Sequence, residues 1–328
     1  GAPAAGGAGA AANLDQLRQV SRKSQRGEED TKTYMIAGEL GSFGVMDVLT
    51  EHKDFVAALA ISDDGKTLYS GSADKTIRAW CTESFECLAT MEGHRKAITA
   101  LWLEGGTLYS SSQDSTVKVW DTATRDVLHT VRHSDTVWAV CVAADYVALA
   151  AEKAVFLYEK KTDVYKQRKE LKGHKKTVKA LCAKGSYLFS GSNDKTIRVW
   201  DTSDFECKYV LKDHEGWVRT VKIYGTFLYS GAYDNTVKVW NLESLECEQT
   251  LGNPKKVESL ALWHSYLFTG MDDARQKVFN IKTWEAVGQM KEHNLAVLAM
   301  VANTQYVFSA SYDSSIRVWG AKPNEDDE

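Results

Sequence analysis

The segments LYSGSADKTIRAW (68–80), LFSGSNDKTIRVW (188–200) and LYSGAYDNTVKVW (228–240) are three copies of one phrase. Weaker copies end at Trp120, Tyr158, Phe279 and Trp319, so the endpoints 80, 120, 158, 200, 240, 279 and 319 lie 40, 38, 42, 40, 39 and 40 residues apart. A phrase that returns seven times makes the chain a stack of equivalent supersecondary units. Within a copy, short alternating runs such as VKALCA, SYLFSG and KTIRVW are rich in β-branched and aromatic residues and are broken by Gly, Asp and Asn. That is strand patterning, not helix patterning. The period is that of a four-stranded blade.

Composition excludes several function classes. Of 328 residues, 44% are apolar, enough for a sizeable core, and 40 Lys and Arg against 44 Asp and Glu give a net charge of −4. No global field therefore favours nucleic acid or an anionic membrane, and any charge argument must be local. No apolar run approaches the roughly 18 residues needed to cross a bilayer. The six cysteines fall at 81, 87, 141, 182, 207 and 247, and Cys87, Cys207 and Cys247 each follow a Trp by seven residues. This is repeat register, not metal spacing, so they are expected to be small core side chains of a reducing, cytoplasmic compartment. The start GAPAAGGAGAAA lacks Met and a signal-peptide core, so an upstream segment, a targeting sequence or a second domain is expected to have been removed.

A second marker precedes each unit: His52, His94, His133, His174, His214 and His293, with Asn253 in the sixth place. With its His at the entry and its Trp at the end of each unit, the chain resembles the WD40 family over residues 46–320. The resemblance implies an all-β, seven-bladed propeller. It also implies closure of the ring by an N-terminal outer strand, and MDVLTEH (46–52) matches KYVLKDH (208–214), so residues 46–50 are expected to complete the seventh blade and remove its free edge. The expected division is 1–43 as low-complexity linker with a short helix, 44–320 as propeller, and 321–328 as an acidic tail. In NLDQLRQVSRKSQR, Leu14, Leu17 and Val20 share a helical face after an Asn13 cap, which suits a short docking helix or the end of an upstream coil.

Ser, His and Asp recurring in each copy invite a catalytic reading. Yet the set returns as His52, Ser70, Asp74 and Trp80; His94, Ser110, Asp114 and Trp120; His174, Ser190, Asp194 and Trp200; His214, Ser230, Asp234 and Trp240; and His293, Ser309, Asp313 and Trp319. Five equivalent active sites in one ring are implausible. The resemblance assigns these residues to a structural hydrogen-bond tetrad, and their donors and acceptors can be satisfied end to end. Two blades depart from it: blade three has Ala148, Glu152 and Tyr158 in place of Ser, Asp and Trp, and blade six has Asn253 and Phe279 in place of His and Trp while keeping Thr269 and Asp273. These two should lose the internal tie. Six of the eight histidines are one-per-blade markers, and neither phosphate-loop nor HExxH patterns occur, so no metal, cofactor or enzymatic activity is expected.

Function is then expected at the positions that vary between copies. In WD40 relatives two positions flanking the start of strand a, and one before the tetrad Asp, face the rim where partners dock. Here they supply Phe55, Trp138, Lys179, Trp217, Arg219, Tyr233 and Tyr312 as partner-binding residues; aromatic and Arg side chains are the usual interface anchors. Packing between blades is the competing role for the tryptophans. A second feature is residues 160–184, with ten Lys or Arg against two acids. Lys166, Arg168, Lys169, Lys172, Lys175 and Lys176 form a candidate basic stripe for an acidic or phosphorylated protein segment, the competing reading being a merely solvated face. RNA readers interleave stacking aromatics, and this run has only Tyr165, so nucleic acid is not expected.

The terse turns look most like those of propellers from TRAF-type RING ubiquitin ligases, myosin heavy chain kinases and certain kinesin tails. The resemblance implies a noncatalytic, monomeric scaffold or adaptor, expected to be the C-terminal module of a larger protein. A substrate-recognition module of a ubiquitin ligase or kinase, a cytoskeletal or ciliary component, and an RNP component remain the alternatives.

Overall fold

The computed structural model describes residues 34–35, 42–160 and 165–321. The expected N-terminal helix and the acidic end from residue 322 lie outside them. Seven antiparallel sheets form the blades. Blades one to six span 56–91, 98–132, 137–172, 178–211, 218–252 and 257–290, each a meander of four strands running from innermost a to outermost d. Innermost strands of all seven blades line one central cavity. The all-β propeller is therefore the fold.

Blade seven has strands Val297–Ala302, Val307–Ser311 and Ile316–Ala321, and is completed by Ser42–Leu49, which pairs antiparallel with the last of these. That closing strand begins four residues before the expected boundary of 46. The reason is Phe43, which is fully buried 5.3 Å from Trp263 and 5.6 Å from Phe268, measured between ring centroids. A two-residue strand, Tyr34–Met35, pairs with it to give a fifth strand that the repeat pattern does not reveal.

The apolar clusters lie between blades. The described residues form seven, one for each seam of the ring. Trp200 of blade four, for instance, sits with Ala139, Cys141 and Leu157 of blade three, and Trp240 of blade five with Phe189 and Val199 of blade four. Each repeated Gly after the tetrad Ser or Thr serves such a seam: a Cβ on Gly191 would lie 2.7 Å from Val218 Cγ1 of the next blade. Only a missing side chain lets strand b and the neighbouring strand a approach so closely.

Candidate functional site

Five blades carry the complete tetrad. In each, the Trp indole N–H donates to the Ser hydroxyl over 2.8 Å, and that hydroxyl is 2.7 Å from His Nε2. His Nδ1 lies 2.7–2.9 Å from an Asp oxygen. The Ser therefore spends its proton on imidazole while accepting from indole, and the Asp holds the ring in one tautomer. The other Asp oxygen shapes the b–c turn. In blade four, Asp194 Oδ1 accepts from the Thr196 amide at 3.0 Å and its hydroxyl at 2.6 Å. These bonds secure Lys195 at φ 74°, a left-handed conformation costing roughly 1–2 kcal/mol in a non-glycine residue. Ser, His and Asp are thus consumed by the scaffold.

Blade three keeps only a long link, His133 Nδ1 to the Tyr158 hydroxyl at 3.4 Å. Blade six retains more than expected: the Thr269 hydroxyl donates to Asn253 Oδ1 at 2.8 Å, so Asn253 replaces imidazole as acceptor, while Asp273 turns to Arg275. Amides of blade three are accordingly expected to exchange with solvent fastest in the ring, and those of blade six next. Hydrogen-exchange mass spectrometry showing blade three as protected as blade four contradicts this ordering.

The tetrads also set a pH response. Burial would raise Asp114, but bonds from Thr116, the Arg95 amide and His94 outweigh it and hold the carboxyl down to about 2. Asp74, Asp194, Asp234 and Asp313 are shifted down in the same balance of burial against hydrogen bonds. Burial lowers His94 and His293 despite their Asp partners. Both residue types bind fewer protons folded than unfolded, so stability rises with pH. The histidine contribution is complete above pH ~6.5 and is lost as pH falls below it; the carboxylate contribution is complete above pH ~4 and is lost towards pH 2 and below. The melting temperature is expected to fall in two stages on acidification, and a flat profile from neutral pH to pH ~3 contradicts the assignment.

The variable positions gather at the channel mouth because of a repeated backbone irregularity. Every strand a carries a β-bulge after its first residue, and the bulged residues are Ala57, Thr99, Trp138, Lys179, Arg219, Glu258 and Leu298. A bulge re-aims the side chain it carries. Six of these, all but Trp138, line the central cavity.

The predicted anchors do not play one role. Arg219 Nε donates to Glu258 at 3.0 Å and its guanidinium lies over the Tyr233 ring at 5.4 Å; the Tyr233 hydroxyl donates to the same carboxylate. Lys179 Nζ stands 2.8 Å from the ring centre of half-buried Trp138. Burial, then Arg219, push that ammonium down to about 7, while the indole face favours its charged form. Phe55 is half-buried and stacks on Tyr312 at 4.2 Å; Trp217 stacks on Tyr233 at 5.5 Å. The outward members are Trp217, 43% exposed, and Tyr312, 49% exposed. Leu295, 51% exposed, joins this rim unpredicted; its signal was an apolar residue two after the His marker, where other blades place Asp, Lys or Gly. Gly216 holds the same place in blade five, and a Cβ there would meet the Asp234 nitrogen at 2.2 Å. The loop thus presses on the turn beneath it, beside the pair Trp217 and Tyr233.

Lys166, Arg168, Lys169, Lys172, Lys175 and Lys176 are all exposed but occupy two surfaces. The first four lie on the perimeter strand Tyr165–Lys172, where Lys172 pairs with Glu170 at 3.1 Å and Lys169 lies 5.8 Å from the Phe205 ring. Lys175 and Lys176 lie on the rim loop, whose backbone is tied to Asp194 and Ser192. Among the described residues no group of three or more His, Cys, Asp or Glu side chains is placed to hold a metal ion, and no helix is long and apolar enough to cross a membrane. All six cysteines are free thiols.

Comparison with known proteins agrees with this geometry. The WD40 family, "WD domain, G-beta repeat", matches residues 44–81, 85–121, 165–201, 205–241 and 284–320, passing over the two units that end in Tyr158 and Phe279. The chain is 31% identical over 169 residues to "Zinc finger CCCH domain-containing protein 17" of Oryza sativa subsp. japonica, covering 51% of this chain and 38% of that protein. It is 37% identical over 149 residues to "F-box and WD repeat domain containing protein 10B" of Homo sapiens, covering 45% and 20%. With "Kinesin-like protein KIF21A" of Homo sapiens it shares 25% over 157 residues, covering 47% and 7%. The chain thus spans well under half the length of these relatives. Its propeller fits a protein-interaction module, a fold that is generally a noncatalytic scaffold. With the repeats matched over more than half of the sequence and seven blades in place, the chain belongs to the WD40 family.

Proposed function

We propose that this chain is a noncatalytic docking module that recruits protein partners through its loop rim, with Trp217 and Tyr312 as anchors. One observation carries the reading: both side chains are about half exposed, yet each is already stacked on a partner ring. An anchor ordered before binding loses less rotamer freedom when it is covered. Lys175 and Lys176 on the same rim, with Lys172 at its edge, favour a partner that brings an acidic or phosphorylated segment. A phosphate-reading substrate receptor that depends on the strand a cations is less favoured, because Arg219 is engaged by Glu258 and Lys179 by Trp138. The test is affinity capture comparing wild type with Trp217→Ala/Tyr312→Ala and with a Lys172, Lys175, Lys176→Glu variant. If both variants stay folded and retain every partner, the rim reading fails.

A further inference from the structure

Below the rim, the seven a strands enclose a cavity of about 170 Å³. Strand a of blade five reads VRTVKIY, and its Lys222 lines this cavity. Residues at the same register in the other blades are Ala60, Trp102, Cys141, Cys182, Ala261 and Val301. One ammonium therefore stands in an otherwise uncharged ring.

Lys222 combines two properties that usually exclude each other. Solvent reaches the side chain, yet protein surrounds it closely enough for desolvation to lower its pKa. A position inside the channel satisfies both. The one ionisable neighbour acting on it is Cys182, whose thiol burial pushes up to about 12, so that neighbour is neutral. Among the described residues no hydrogen bond or ion pair engages Lys222. The carboxylate of the channel mouth, Glu258, is held by Arg219 and Tyr233. A second donor at the same level lacks an acceptor: Trp102 lines the cavity and its buried indole N–H has no partner. The wall thus presents a solvent-reached ammonium with no carboxylate partner, so an anion entering the channel pairs with it without displacing a protein contact.

We propose that the central channel is an anion-binding site in which Lys222 holds a small tetrahedral oxyanion of the inorganic phosphate class. The cavity has room for such an ion. A charge-assisted hydrogen bond from Lys222 supplies affinity and a preference for a multiply charged oxyanion over chloride.

The experiment is isothermal titration of the 328-residue chain with inorganic phosphate at low ionic strength, repeated with Lys222→Met and Lys222→Gln. Wild type is expected to bind saturably, with sulfate competing and chloride not. Either variant is expected to lose about ten- to a hundredfold in affinity, the loss of one charge-assisted bond. Thermal melting in chloride buffer confirms which variants are folded, and Gln serves if Met perturbs the ring. Absence of saturable binding by wild type, or equal affinity in a folded Lys222 variant, overturns the proposal. So does loss of binding in Lys179→Met with retention in Lys222→Met, which puts the anion at the mouth. Partner capture by the rim is read separately, so either proposal can fail without the other.

Discussion

Trp200→Ala is expected to lower the melting temperature on the order of 10 °C without selectively abolishing any binding activity. The indole is 2% exposed and fills the seam between blades three and four. Truncating a buried Trp costs about 3–5 kcal/mol in lost transfer energy and cavity formation. It also removes the donor to Ser190, which sits fully buried. Trp200→Phe is the milder truncation, since it keeps a six-membered ring but removes the N–H donor together with the rest of the five-membered ring, for an expected cost of about 2–3 kcal/mol. Blade six already has a phenyl ring there, Phe279 standing where five blades have Trp. Unchanged melting with selective loss of a partner would show that these residues are functional and not structural.

The second large effect is expected at the rim. Trp217→Ala and Tyr312→Ala should each weaken a rim-bound partner by about 2 kcal/mol or more, roughly thirtyfold, with little change in melting temperature. The stability cost is small because each side chain is about half exposed and its stacking contributes only about 0.5–1.5 kcal/mol. Phe55→Ala is a sharper probe, because it removes the ring beneath Tyr312 without removing Tyr312 itself. If preordering matters, that variant weakens binding although its own side chain is half-buried. Charge reversal at Lys172, Lys175 and Lys176 should weaken capture in a salt-dependent way if the partner is anionic. Full binding by all these variants, each folded, removes the rim from consideration.

What was legible in the sequence was whatever repeats. The His, Ser, Asp and Trp positions return in register, so their separations already imply one structural role, and the hydrogen bonds have a single geometry in all five blades. Single-copy features were harder to read. Arg219 and Glu258 occupy the same register one blade apart, but nothing in a linear period says that their side chains meet. Trp138 and Trp217 are both candidate anchors, five and three residues after their His markers, and the bulge takes only the first. It turns Trp138 under Lys179, whereas Trp217 precedes the bulge and stays on the loop. Asn253 was read as a lost histidine, although an amide oxygen can still accept from Thr269. The sequence signal of Lys222 is a charged residue at a register inside strand a that is uncharged in the other six blades.

The closing strand has a mechanical consequence. Phe43 faces Ala321 and Leu49 faces Ile316, so the chain enters and leaves this pair at the same end. Tension applied between the two ends does not shear the pair's hydrogen bonds together. It peels them one after another from Phe43 towards Leu49, so the latch that seals the ring against spontaneous opening is also the place where a directed pull opens it most easily.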